Sequence, residues 1–90
     1  MKTVTKKIDT EWFDLILAGK KKYELRIADF DIEDGDILRL EEYIGEGESR
    51  KPTGRFIEKT VAWAKRIDLH GWIEKQPDLI EKGFYVIQFD

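Results

Sequence analysis

Apolar residues change their spacing several times along this chain, and each change predicts a new element. "TVTKKI" (residues 3–8) reads as a short first strand, since Thr and Val favour extended backbone. Asp9 or Thr10 then caps a helix from Glu11 to about Ala18, with Glu11 and Asp14 suited to its positive N-terminal end. Trp12, Leu15 and Ile16 share one face at helical spacing, and Phe13 and Leu17 cover the adjoining surface. So apolar a helix must pack on two sides, with Trp12 in the core. Gly19 stands where a left-handed residue ends a helix.

From Lys22 the period becomes two. Tyr23, Leu25 and Ile27 point one way, toward the expected core, and Lys22, Glu24 and Arg26 point the other. "DIEDGD" (31–36) is a turn and "ILRLEEY" (37–43) a strand. "GEGESRKPTG" (45–54) has no apolar residue and predicts a mobile hairpin loop. "FIEKTVAWAKRI" (56–67) alternates again, with Ile57, Val61, Trp63 and Ile67 on one face. Gly71 and Pro77 interrupt residues 68–83, which predicts a loop with short helical turns. "FYVIQF" (84–89) is apolar on both faces and predicts a central, buried strand.

Five strands, one well-defined helix after the first and short helical turns before the last predict an α+β fold. Its architecture is a small, partly open β-barrel of mixed or antiparallel strands. Neither an internal repeat nor a domain boundary interrupts it, so residues 1–90 are expected to form a single domain, taken as a monomer.

Composition narrows the class. A chain of this length buries roughly 60–65% of its unfolded surface, enough for one modest core. Cysteine is absent, which removes disulfides and thiolate chemistry, and eleven aromatic residues must supply the packing instead. The N-terminus lacks a signal-peptide layout and no apolar run is long enough for a bilayer, so a soluble cytoplasmic protein without membrane contacts is expected. Charged residues make up 39% of the chain and asparagine is missing, a balance resembling that of proteins from hot environments.

The net charge of −3 argues on its face against a nucleic-acid partner. Its distribution changes that picture. Residues 1–26 carry seven Lys/Arg against four Asp/Glu, residues 27–48 one against nine, and residues 49–90 eight against six. Two basic flanks enclose an acidic block, which leaves room for a basic cleft beside an acidic wall.

The densest positive charge lies in "AGKKKYELRI" (18–27), where Gly19, Lys21, Glu24 and Arg26 fit the spacing G-x-K-x-x-E-x-R. This resembles the signature of the ASCH domain, a branch of the PUA-like barrel superfamily. The likeness extends through "EWFDLILAGKKKYELR", "FDIEDGDILRLEEY", a strand near Trp63 and "GFYVIQF", in the order seen in a compact ASCH-like group of small prokaryotic proteins. Residues 68–82 are its weakest part.

The resemblance implies binding of RNA or a modified nucleotide in a cleft lined by Gly19, Lys20, Lys21, Lys22, Glu24 and Arg26. Glu24 and Arg26 lie two apart on a strand, with Cα atoms roughly 6.5–7 Å apart. Arg26 can give two parallel hydrogen bonds to a base edge, Glu24 can accept from an exocyclic amine, and the lysines attract phosphate.

Some relatives are enzymes, which implies an alternative: a hydrolase on the same cleft, either an N(4)-acetylcytidine amidohydrolase or a ribonuclease. Lys21 and Glu24 would then be the catalytic pair. In the amidohydrolase group, however, a threonine nucleophile stands three residues after the lysine, and here that position is Glu24. The nearby hydroxyl, on Tyr23, is expected to face the core. An adjacent carboxylate also favours the charged form of a lysine, which suits anion binding better than base catalysis. Binding therefore ranks ahead of catalysis.

Plainer readings compete. Lys20–Lys22 can be solvated cations at a helix C-terminus, and Glu24 and Arg26 an exposed ion pair worth no more than about 1 kcal/mol. His70, the sole histidine, reads as solvent-facing, and no zinc or calcium site and no cofactor is called for. Trp63 and Trp72 read by default as buried structural aromatics and otherwise as base-stacking surfaces, and Arg50, Lys51 and Arg55 as a second phosphate-contacting rim or as solvated loop cations. A third function is a protein-interaction module presenting the acidic face, residues 29–48.

Overall fold

A computed structural model describes residues 1–67 and 82–89. The elements are β1 (Thr3–Asp9), α1 (Thr10–Leu17), β2 (Tyr23–Ile27), β3 (Ile37–Ile44), a 3-10 turn (Gly47–Ser49), β4 (Lys51–Ile67) and β5 (Phe84–Phe89). They form one mixed sheet in the order β1-β3-β4-β5-β2. β1 runs parallel to β3, and the remaining pairs are antiparallel. The α+β class, the five strands and the helix after the first strand are those predicted. The helical turns expected over 68–83 lie almost entirely outside the described residues, and His70 and Trp72 lie wholly outside them.

The 17-residue strand β4 shapes the molecule. Its first part pairs with β3, from Ile44↔Lys51 to Ile37↔Thr60. Its second part leaves β3 and pairs with β5, from Val61↔Phe89 to Ile67↔Phe84. A register shift between Val61 and Trp63 marks the changeover. An irregularity there bends the strand, so the sheet folds over itself and brings its edge strands, β1 and β2, toward each other. The Arg26 Nη2 donates to the Lys7 carbonyl at 2.6 Å, joining the two edges.

The core collects Ile8, Phe13, Ile16, Ile32, Leu38, Leu40, Val61, Tyr85, Ile87 and Phe89. β5 lies between β4 and β2 and alternates buried with half-covered residues, as a central strand should. Helix α1 packs through Phe13 and Ile16, so Ile16 of the predicted face is buried while Trp12 is left half exposed. The buried line pairs Ile16 with Phe13 from the adjoining surface and not with Trp12.

Helix α1 ends in a left-handed wrap. Lys20 N–H donates to the Leu15 carbonyl and Gly19 N–H to the Ile16 carbonyl, both at 3.0 Å. This double closure needs a positive φ at the first donor residue, and Gly19 has φ +76°. A Cβ there would meet no neighbour, so the penalty is purely conformational. Gly19→Ala is expected to lower stability by about 1 kcal/mol, read as a fall of a few degrees in thermal midpoint.

Residues 45–54 differ from the predicted mobile loop. Gly45 (φ +91°) turns the chain so tightly that a Cβ would lie 2.7 Å from the Ser49 carbonyl oxygen. The Ser49 hydroxyl donates to the Glu46 carbonyl at 2.7 Å, and β4 starts at Lys51 rather than at residue 56. Backbone pairing with β3 needs no apolar side chains, which is why the pattern of apolar residues missed the start of this strand.

Candidate functional site

The gap between β1 and β2 is an open cleft of about 760 Å³. Thr5–Asp9 form one wall and Lys21 with Tyr23–Arg26 the other, and Trp12 and Arg50 complete the lining. Here the inward face of β2 is the reverse of the predicted one. The alternation holds, but Glu24 is only 4% exposed while Tyr23, Leu25 and Ile27 are largely exposed.

A carboxylate can be buried at such a place only if it is compensated. Glu24 Oε1 accepts from Lys21 Nζ, and Oε2 accepts from Arg26 Nε at 2.8 Å. Lys21 comes from the turn before β2, and the Gly19 wrap sets where it emerges. Its ammonium lies 5.4 Å from the Trp12 ring centre and 5.2 Å from that of Tyr23, so two aromatic rings and one carboxylate surround it. Such contacts favour a cation and fix its position without screening it in bulk water. Arg26 is held twice, through Nε by Glu24 and through Nη2 by the Lys7 carbonyl, and neither bond uses Nη1.

Of the predicted residues, the fold therefore brings Lys21, Glu24 and Arg26 together. Lys20 and Lys22 are exposed and are not among the cleft's lining residues, and Gly19 acts through the helix end. Glu24 is buried with both oxygens engaged, whereas the bonds that hold Arg26 leave its Nη1 unused. The walls add residues that the signature did not point to: Thr5, Lys6, Lys7 and Ile8 on β1, and Trp12, which had been assigned to the core. The paired lysines of "TKK", one on each face of β1, were the available signal.

Electrostatically the cleft departs from the chain as a whole. Its lining includes Lys6, Lys7, Lys21, Arg26 and Arg50 against Asp9 and Glu24, inside a protein of net charge −3. Arg50 extends from the end of the 3-10 turn to Asp9 at 2.8 Å, so one arginine of the proposed loop rim does reach the cleft. Arg55 does not: it pairs with buried Glu42 (2.8 and 2.7 Å) and with Asp14 (3.1 Å), clamping α1 to the sheet. This holds the Glu42 carboxyl down at about 2, chiefly through the Arg55 guanidinium and then the Thr53 hydroxyl, and raises Arg55 above its usual range. Lys51 and Trp63 are exposed elsewhere.

Much of the acidic block is engaged internally. Asp36 is buried and accepts from the Lys2 and Glu33 amides, which holds its carboxyl below the usual range. Asp34 accepts from the Ala64 amide, and Glu41 pairs with Arg39. Among the described residues, no cluster of acidic or histidine side chains converges as a metal would require. None of the described helices is long and apolar enough to cross a membrane.

A folded-over mixed sheet of five strands with one helix after the first fits the ASCH domain, a PUA-like fold. The chain belongs to the ASCH domain family, whose family model matches residues 7–88. It is similar to a protein of Escherichia phage P2, described as an uncharacterized 12.9 kDa protein in the GpA 3′ region, at 38% identity over 69 residues. That match covers 76% of this chain and 57% of the phage protein. The crystal structure of hypothetical protein PH0355 has the same fold, with a TM-score of 0.67 at 20% identity, covering 100% of this chain and 98% of that one.

Proposed function

We propose that the protein binds RNA or a modified nucleotide in the cleft between β1 and β2. One observation carries the reading: a cleft lined by five cations in an acidic protein, two of them held by a buried glutamate. Membership of the ASCH family, a PUA-like group often linked to RNA binding, agrees with it.

The roles differ from residue to residue. Lys21, Lys7 and Arg50 attract the phosphate, and Arg26 offers the Nη1 edge of its guanidinium to phosphate or base. Glu24 sets the spacing of Lys21 and Arg26. Trp12 and Tyr23, each nearly half exposed, offer ring surface to a base.

Titration with labelled single-stranded and structured RNAs at two salt concentrations tests this. Binding that weakens with salt, and falls at least roughly tenfold in Lys21→Ala and Arg26→Ala, is expected. Equal affinity in the variants and the parent protein would count against the site.

Hydrolysis in the same cleft is the weaker reading. Glu24 occupies the place of the relatives' threonine, and both its oxygens are engaged by cations. Incubation with N(4)-acetylcytidine and with RNA, followed by mass analysis, is expected to return unchanged substrate. Product formation that disappears in Lys21→Ala would reverse the order of the two readings. A basic protein partner that survives loss of Lys21 and Arg26 in a pull-down would instead favour the acidic face.

A further inference from the structure

We infer that the ligand of this cleft is a run of at least two linked nucleotides, not a free nucleoside or mononucleotide. This rests on the nucleotide reading above and adds a second subsite to it. Beyond the main cleft lies a second recess of about 310 Å³, lined by Lys6, Leu25, Arg26, Ile27, Asp29 and Phe30. The two recesses share Lys6, Leu25 and Arg26, so they adjoin along the gap between the edge strands, and we read them together as one groove.

The order of chemical groups along this groove is informative. The main cleft offers the Trp12 and Tyr23 rings. At the junction stand two cations from opposite walls, Lys6 of β1 and Arg26 of β2, beside the exposed side chain of Leu25. The second recess then presents Phe30, backed by Tyr85 at a centroid distance of 5.3 Å. Aromatic surface, paired cations and aromatic surface match a ligand with one negative charge between two flat, weakly polar groups. A dinucleotide has that order, because its linking phosphate lies between its bases. A nucleoside has no charge to meet the junction, and a mononucleotide leaves the second recess unfilled.

The junction cations are prepared unequally. Arg26 is locked by its bonds to Glu24 and the Lys7 carbonyl. Among the described residues Lys6 has no charge-assisted hydrogen bond of that kind: it lies 3.9 Å from a half-exposed Asp29 and 3.8 Å above the Phe30 ring. A phosphate beside Arg26 offers the ammonium a full negative charge in place of the ring face, so the ammonium moves onto it and uncovers the ring for a base. Arg26 thus fixes the register of the strand, and Lys6 closes on it.

Calorimetric titration at low salt with ribonucleoside 5′-monophosphates and the corresponding dinucleotides tests the inference. The best dinucleotide is expected to bind at least roughly tenfold tighter than either of its mononucleotides, the gain an added stacked base supplies. Phe30→Ala should abolish that advantage while leaving mononucleotide affinity unchanged. Phe30→Leu, which keeps the apolar packing on Tyr85 but removes the flat face, should do the same if the alanine variant does not fold. Equal affinity for both ligand lengths, or an advantage that persists in both Phe30 variants, overturns the second subsite and leaves the main cleft standing. Failure of every nucleotide to bind overturns the nucleotide reading itself.

Discussion

Replacing Glu24 with alanine is expected to weaken binding of an anionic ligand, although it removes a negative charge from a site that attracts anions. Simple charge counting predicts the opposite. The geometry decides the sign. Glu24 is 4% exposed, and its oxygens hold Lys21 on one side and Arg26 on the other. Without it, two cations repel each other in a half-buried site and lose the spacing that a phosphate would meet. Removing one partner of a buried ionic network costs about 3 kcal/mol or more. Misplaced binding groups also lose affinity out of proportion to their displacement. We expect affinity for single-stranded RNA to fall at least roughly tenfold and the thermal midpoint to drop in the same variant. Glu24→Gln keeps one acceptor oxygen and should lie between the two. Tighter binding in Glu24→Ala would show that the carboxylate is a brake on the site and not its organiser.

The second large effect lies away from the cleft, at the clamp between α1 and the sheet. Glu42 continues the inward line of Leu38 and Leu40 on β3, so the fold buries a carboxylate where a third apolar residue would otherwise stand. Arg55 compensates it with two hydrogen bonds and extends to Asp14 on the helix, while its guanidinium lies 4.6 Å from the Phe13 ring centre. Arg55→Ala strands Glu42 without its main partner. The expected result is a fall of roughly 10 °C in thermal midpoint.

The same pair predicts acid sensitivity. Glu42 loses its proton at about 2 in the folded protein against an ordinary value of 4.5, so its pairing contributes in full above pH 4.5. That contribution declines as pH falls from 4.5 and is gone below about 2. Asp36 is lowered as well, by amide hydrogen bonds, and adds to the slope in the same direction. Unfolding measured across this range should show stability falling with acid, with a shallower fall in Glu42→Gln and a residual slope from Asp36. An unchanged slope in Glu42→Gln would remove the clamp as its source.

Local features were legible from the chain alone because short-range rules govern them. The helix over Thr10–Leu17, its glycine-terminated wrap, the strand character of 37–44 and 84–89 and the G-x-K-x-x-E-x-R spacing all depend on neighbours within a few residues. Charge distribution also pointed to the segment around Lys21 when net charge pointed away from it. The polar start of β4 was missed because main-chain hydrogen bonds to β3 hold it, and these leave no mark in side-chain type.

What the sequence by itself determined is the main elements and the family resemblance; which surfaces face inward was decided only by tertiary structure. Alternation along "YELRI" divides β2 into two faces but is symmetric between them. Apolar preference chose Tyr23, Leu25 and Ile27 as inward, whereas the fold turned Glu24 inward because Lys21 and Arg26 neutralise it there. A register shift after Val61 likewise changed the phase that would have buried Trp63. The cleft itself joins Lys7 to Arg26, nineteen residues away, through the bend of a strand that begins at Lys51. Local pattern cannot encode such a meeting, because it depends on how far the whole sheet curls before its edges come within reach of one arginine.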